Sequence, residues 1–162
     1  MMEHIPITQG APPPSPPLNE PAIYLLDRKQ VEHYWPRIEA ELEAEPELWN
    51  NWWTLEAIFE GVINEVIQVW VVSSKEKIQA IFMSNIVCAP AGRILQVFWM
   101  RGHLPPGAVN QISLSLDHFG QHHNCFRLSV IGRRGWERIL RHVGARFEGI
   151  SLTRPLTHMA RN

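Results

Sequence analysis

The sequence predicts an α/β fold: a mixed, mostly antiparallel sheet of about six strands with helices on both faces. Three observations lead there. The hydrophobic rhythm changes at Val69 from the three-four spacing of helices to the patterning of strands. Three apolar runs then follow one another across short turns, as in an antiparallel meander. Finally, Ile131-Gly132-Arg133-Arg134-Gly135-Trp136 joins the apolar strand 126–131 to an amphipathic helix, and a further strand, 147–156, follows that helix. A meander completed by crossover units has mixed strand directions.

A chain of 162 residues that is 45% hydrophobic is one domain long and can bury a normal core. Its net charge of -1 argues against bulk nucleic-acid affinity. The charge is unevenly spread: residues 1–92 carry 5 basic and 13 acidic side chains, residues 93–162 carry 10 and 3. Either an acidic helix covers a basic one inside the fold, or the asymmetry drives contact with another copy or partner. Cys88 and Cys125 lack metal-ligand spacing and are too few for a disulfide framework. Both are expected to be small buried hydrophobes in a reducing cytoplasm. No apolar run approaches the ~20 residues needed to span a bilayer, and no signal-peptide pattern opens the chain, so a soluble protein with no membrane partner is expected.

Taken in order, residues 1–21 hold Pro6, Pro12, Pro13, Pro14, Pro16, Pro17 and Pro21 and form an extended, polyproline-like arm. It is either a loose leader or a segment that docks a neighbouring protein through Pro12, Pro13, Pro14, Pro16 and Pro17. Residues 22–156 form the domain and 157–162 a short tail. Ala22 to Leu26 is a short strand candidate. Asp27 opens a helix, with Gln30 as its capping-box partner and Leu26 facing Val31 as a staple. Val31, Tyr34, Ile38 and Leu42 keep helical spacing, Glu39, Glu41, Glu43 and Glu45 supply a solvated side, and Pro36 is expected to kink or split the helix. Trp49, Trp52 and Trp53 crowd the following turn, either as a ligand platform or as a plug between helices. Thr54 then caps a helix with Leu55, Ile58, Phe59, Val62, Ile63 and Val66 at helical positions.

The meander runs through Val69–Val72, Lys77–Val87 and Arg93–Met100. Its middle strand is apolar on both faces, with Ile78, Ala80 and Phe82 on one and Ile81, Met83 and Val87 on the other, so it belongs in the sheet interior. A loop from Arg101 to Gly107 leads into a helix with Val109, Ile112, Leu116 and Phe119 on one stripe, and Gly120 and Asn124 allow that helix to end before Cys125. The last helix places Trp136, Ile139, Leu140 and Val143 inward and stops at Gly144, a left-handed cap. Gly149 suggests a bulge in the final strand.

This element order, with the closing Gly132-Arg133-Arg134-Gly135-Trp136-Glu137-Arg138-Ile139-Leu140 and Val143-Gly144-Ala145-Arg146-Phe147, resembles the GNAT acetyltransferase superfamily. The closing motif is particularly similar to small GNAT-like proteins of tailed bacteriophages, which sit among virion structural genes. The resemblance covers roughly residues 22–156. It implies a GNAT-like sheet and an acetyl-CoA pyrophosphate held on backbone amides where the fourth strand leads into a helix. The corresponding residues are Arg101, Gly102, Gly107 and Ala108. Their spacing departs from the family pattern, and Pro105 and Pro106 remove two amide donors. The acid and base that amine acetylation calls for have no clear counterpart. Tyr24 and Tyr34 precede the meander, the central strands offer Ser84, Asn85 and Gln96 but no carboxylate, and Glu137 is expected to neutralise Arg133, Arg134 or Arg141.

Two other groupings stand out. His118 and His122, with Asp117, His123 and Cys125, have a spacing that can face a metal, but the residues between the pair lack the glutamate of zinc proteases, so no metal is expected. Arg133, Arg134, Arg138 and Arg141, with Arg127 and Arg146, form a cationic face that pairing with acidic groups explains better than nucleic acid does. The leading expectation is a virion structural or assembly protein of the head, portal or tail, without catalytic residues or cofactor, bound to other phage structural proteins. It would be made in the host cytoplasm and would stay there if not packaged. The alternatives are an acetyl-CoA-dependent N-acetyltransferase and a binding protein directed at the host.

Overall fold

The computed structural model describes residues 20–46, 53–75, 77–132 and 135–146. The arm before residue 20, the strand expected at 147–156, Trp49, Trp52, Arg133 and Arg134 lie outside them. The described elements run β1 (Ala22–Leu25), α1 (Arg28–Ala44), α2 (Leu55–Ile63), β2 (Ile67–Ser74), β3 (Lys77–Ala89), β4 (Gly92–Gly102), α3 (Ala108–His122), β5 (Cys125–Val130) and α4 (Gly135–Leu140). A 3-10 turn over Arg141–Val143 extends α4 and ends at Gly144, which is left-handed at φ +82.

The sheet follows sequence order, β1-β2-β3-β4-β5. The first three pairings are antiparallel, and β4 with β5 is parallel. A parallel pair needs a crossover, which α3 supplies. β3 occupies the centre, and its two faces build two cores. On one, Ile81 and Met83 join Val31, Ile38 and Leu42 of α1 and Ile58 and Val62 of α2. On the other, Ala80 and Phe82 join Ile112 and Leu116 of α3. Helices therefore cover both faces, as the doubly apolar β3 requires.

Local chemistry explains the boundaries. Asp27 accepts the Gln30 amide at 2.8 Å while Gln30 Oε1 accepts the Asp27 amide at 2.9 Å, a complete capping box. Thr54 Oγ1 accepts the Ala57 amide and starts α2. Pro36 does not split α1, which runs unbroken from Arg28 to Ala44. It sits on the exposed side, where water can satisfy the carbonyl it fails to bond, while Val31, Ile38 and Leu42 hold both halves on the sheet.

Ile78 departs from simple alternation. The register slips between Val72 and Ser73, leaving Gln79 without an opposite residue, and this bulge moves Ile78 to the face of Ile81 and Met83. Gly120 does not end α3. It lies inside the helix, where a Cβ would already touch Leu95 and Cys125, and Asn124, left-handed at φ +56, makes the exit. The inward stripe of α3 is Ala108, Ile112, Leu116 and Gly120 rather than one led by Val109. Cys88 is exposed and Cys125 half-buried, so Cys88 is not the buried hydrophobe expected. Ile139 is also exposed, and none of Trp136, Leu140 or Val143 is fully buried among the described residues. The glycine joint acts locally: the Trp136 ring folds back until a Cβ on Gly132 would sit 3.3 Å from it.

Candidate functional site

The feature that sets up a site is a bulge in β4. Met83 pairs with Trp99 and Ser84 with Val97, so Phe98 has no opposite residue on β3. Phe98 and Trp99 consequently face the same core, on the side of α1 and α2, which an alternating strand could not arrange. Trp53, at the start of α2, stacks on Phe98 with ring centroids 5.4 Å apart. The one tryptophan of the crowded turn that is described thus packs against the sheet.

β4 and β5 part at this bulge. Their pairing ends at Val97 with Val130, and the Ile131 amide makes the last link to Val97 O at 2.8 Å. Past it, β4 continues to Gly102 with no neighbour on that side among the described residues. The result is a notch edged by strand backbone, and the loop from β4 into α3 lies at its end.

That loop is folded by its own bonds. The His103 amide donates to Gln79 O at 2.9 Å, and the Ala108 amide to Pro105 O at 3.0 Å. Gly107 precedes the helix in a left-handed conformation, φ +82, and gives α3 no side-chain cap. Pro105 and Pro106 have no amide hydrogen, and after Ala108 the next amide of the helix that reaches a carbonyl is that of Gln111, on Gly107 O. Among the described residues the amides of Val109 and Asn110 meet no backbone acceptor, which leaves them as donors at the positive end of a 15-residue helix and suits an anion.

Of Arg101, Gly102, Gly107 and Ala108, the last two share the first turn of α3 with those donors, and the first two do not join them. Arg101 turns to the opposite face, where Nε donates to Glu41 Oε2 at 3.0 Å and Nη1 donates to Glu45. Hydrogen bonds to Glu41 and then Glu45 raise its pKa above the ordinary arginine value. Glu41 and Glu45 are therefore not simply part of a solvated side. Gly102 has φ +113, and a Cβ there would lie 2.3 Å from Gln79 O, so its glycine serves the crossing of β4 over β3. Gly107 sits against the Pro21 ring. Ala108 is fully buried, and its amide is committed to Pro105.

The polar residues of the central strands have separate roles. Ser84 is buried and accepts Trp70 Nε1–H at 2.9 Å while donating to Gln68 Oε1 at 3.1 Å, a structural relay. Asn85 Oδ1 and Trp99 Nε1 are buried with no hydrogen-bond partner among the described residues. The one sequence signal for it is an asparagine standing among apolar residues of β3. Among the described residues no three His, Cys, Asp or Glu side chains gather as a metal set, and no helix is long and apolar enough to cross a membrane. Glu137 does bond Arg141, one turn away. Arg127 lies over the Phe126 ring at 5.6 Å.

Comparison with solved structures places this architecture. A predicted acetyltransferase with acetyl-CoA from Clostridium acetobutylicum superposes with a TM-score of 0.62 at 11% identity, covering 88% of this chain and 100% of that one. The chain has the fold of the GNAT acetyltransferases. An aminoglycoside acetyltransferase from an uncultured soil metagenomic sample gives 0.63 at 12% identity, covering 85% and 99%. A ribosomal-protein-alanine N-acetyltransferase from Brucella melitensis gives 0.58 at 13%, covering 83% and 99%. No protein-family model and no curated protein matches the sequence. The GNAT likeness is thus carried by the backbone fold.

Proposed function

We propose that the chain binds an acyl-CoA in the notch between β4 and β5 and transfers the acyl group to an amine. The observation that carries this reading is the parting of the two strands at the Phe98 bulge beside the open amides of Val109 and Asn110. The residues present fit the cosubstrate in part. Val109 and Asn110 would hold a pyrophosphate, and the unpaired β4 edge would pair with an amide-bearing chain. Arg101 and Ala108 do not fit, being committed to Glu41, Glu45 and Pro105. Bound acyl-CoA supplies an activated thioester. The protein's share is to hold and orient it, to exclude water with Trp53 and Phe98, and, as the C–N bond forms and the C–S bond breaks, to leave to solvent both the amine proton and the proton that the departing thiolate takes up, since no described carboxylate or tyrosine lies on the β4 edge.

Calorimetric titration of the full chain with acetyl-CoA tests this. Saturable binding is expected, weakened about tenfold by Val109→Pro, which deletes one amide in the first helical turn, where proline is tolerated. Arg101→Ala is expected to leave binding unchanged. Absence of binding would overturn the reading.

A second reading is favoured by the Arg101 clamp, by the Pro-rich residues 1–21 and by the phage-like closing motif. In it the fold serves as an assembly module in a virion, docked to a neighbouring structural protein through Pro12, Pro13, Pro14, Pro16 and Pro17. Deleting residues 1–20 would then abolish incorporation into particles while the domain stays folded. Normal incorporation of the truncated chain would sink it.

A further inference from the structure

We propose that the cleft at the open end of β1 is a binding site for a protonated amine carrying an apolar body. It rests on this cleft alone and stands whatever the notch binds. Ile67 pairs with Asn85 and Asn85 with Gln96, so the start of β2 is level with β4 just before the notch opens and is separated from it by β3.

The cleft arises from a mismatch in strand length. β1 pairs with β2 as far as Leu25 with Trp70, and the Leu26 amide still reaches Val69 O at 2.9 Å. At Asp27 the chain leaves the sheet for α1, whereas β2 begins further back, at Ile67. Backbone groups alternate sides along a strand, so the Ile67 amide and carbonyl face the same edge as those of Val69 and meet no strand there. The gap measures about 340 Å³, within the usual range for small-molecule pockets. Val31, Val62, Ile67 and Phe119 give it apolar walls.

Its mouth has a definite chemistry. Asp27 and Glu65 both line it. The turn bearing Glu65 is braced: the residue is left-handed at φ +58, its amide donates to Val62 O, the Val66 amide donates to Gly61 O, and Gln68 Nε2 donates to the carbonyls of Glu65 and Val66. Arg28 also lines the cleft, but its Nε donates to Glu32 at 3.2 Å, and His123 packs its ring on Phe119 at 4.2 Å. Glu65, the Ile67 carbonyl and the oxygen of Asp27 that the Gln30 amide does not use are the acceptors along the cleft lining. An ammonium group has three donors and no acceptor, so it matches them, whereas an anion meets two carboxylates against one guanidinium already paired with Glu32, and an uncharged hydroxyl brings a single donor and no charge.

The test is an NMR titration of the full chain at pH 8, above the usual imidazole range, with phenethylamine and with 2-phenylethanol, which has the same body without the charge. Saturable shifts are expected at Ile67, Gln68 and His123, with the amine binding about tenfold or more tighter than the alcohol. Glu65→Gln should remove most of that preference, and Leu25→Trp, at an exposed position on the rim, should block both probes. Equal affinity for amine and alcohol, no saturable shift, or binding indifferent to Leu25→Trp would overturn the proposal. Should Leu25→Trp fail to fold, Glu65→Gln decides alone, because unchanged selectivity in that variant is incompatible with the site.

Discussion

Arg101 Nε donates to Glu41 Oε2 across 3.0 Å, and Glu45 accepts from the same guanidinium, so the end of β4 is tied to the last turns of α1. The acidic half of the chain meets the basic half inside the fold at this point. Arg101→Ala should lower the thermal midpoint and speed amide exchange at the end of α1, and Arg101→Lys should restore only part of both, since an ammonium cannot bridge two carboxylates as a planar fork does. The sign of the pH dependence follows from the raised arginine pKa. Such a group contributes fully below its unfolded pKa and loses that contribution only as pH rises through the folded value. The midpoint difference between native chain and Arg101→Ala should therefore stay constant from pH 7 to pH 10 in thermal melts.

Gly102→Ala should be among the most damaging single substitutions. A Cβ would stand 2.3 Å from Gln79 O and 2.6 Å from Ala80 Cα, and φ is +113. Backbone atoms cannot yield as a side-chain tip can, so a loss of about 3 kcal/mol or more is expected in chemical denaturation. A loss below about 1 kcal/mol would mean that the close approach relaxes cheaply.

Asp27→Ala removes the acceptor of the Gln30 amide and half of the capping box. About 1 kcal/mol of stability should disappear, measured by urea unfolding, with the unfolding slope unchanged. Thr54→Ala should behave in the same way at α2, through the Ala57 amide.

What could be read from the residues was what local chemistry dictates. The Asp27–Gln30 box, the Thr54 cap, the left-handed Gly144 and the two-faced burial of β3 all follow from side chains near in sequence. What could not be read depends on partners far along the chain. Neither the Gln79 nor the Phe98 bulge has a glycine to announce it, because each is set by register against a neighbouring strand. Arg101 matched a cofactor pattern by type, yet its direction is decided by Glu41 and Glu45, 60 and 56 residues away. The cleft beside Ile67 is likewise invisible in sequence, since it comes from two strands of unequal extent.

Ser84 and Asn85 are adjacent on β3, and their substitutions should have opposite effects. Ser84 is buried on the Trp70 side, where its hydroxyl accepts Trp70 Nε1–H. Ser84→Ala leaves that indole hydrogen without an acceptor and should cost about 1–3 kcal/mol. Asn85 faces the other core, as alternation from Met83 requires, and its Oδ1 is buried with no donor among the described residues. Asn85→Leu replaces that buried oxygen by an apolar side chain of similar volume, so it removes a cost and should be neutral or stabilising by up to about 1 kcal/mol. Urea denaturation of the two variants side by side decides the matter. Destabilisation by Asn85→Leu comparable to that of Ser84→Ala would mean that Asn85 holds a partner through its buried oxygen.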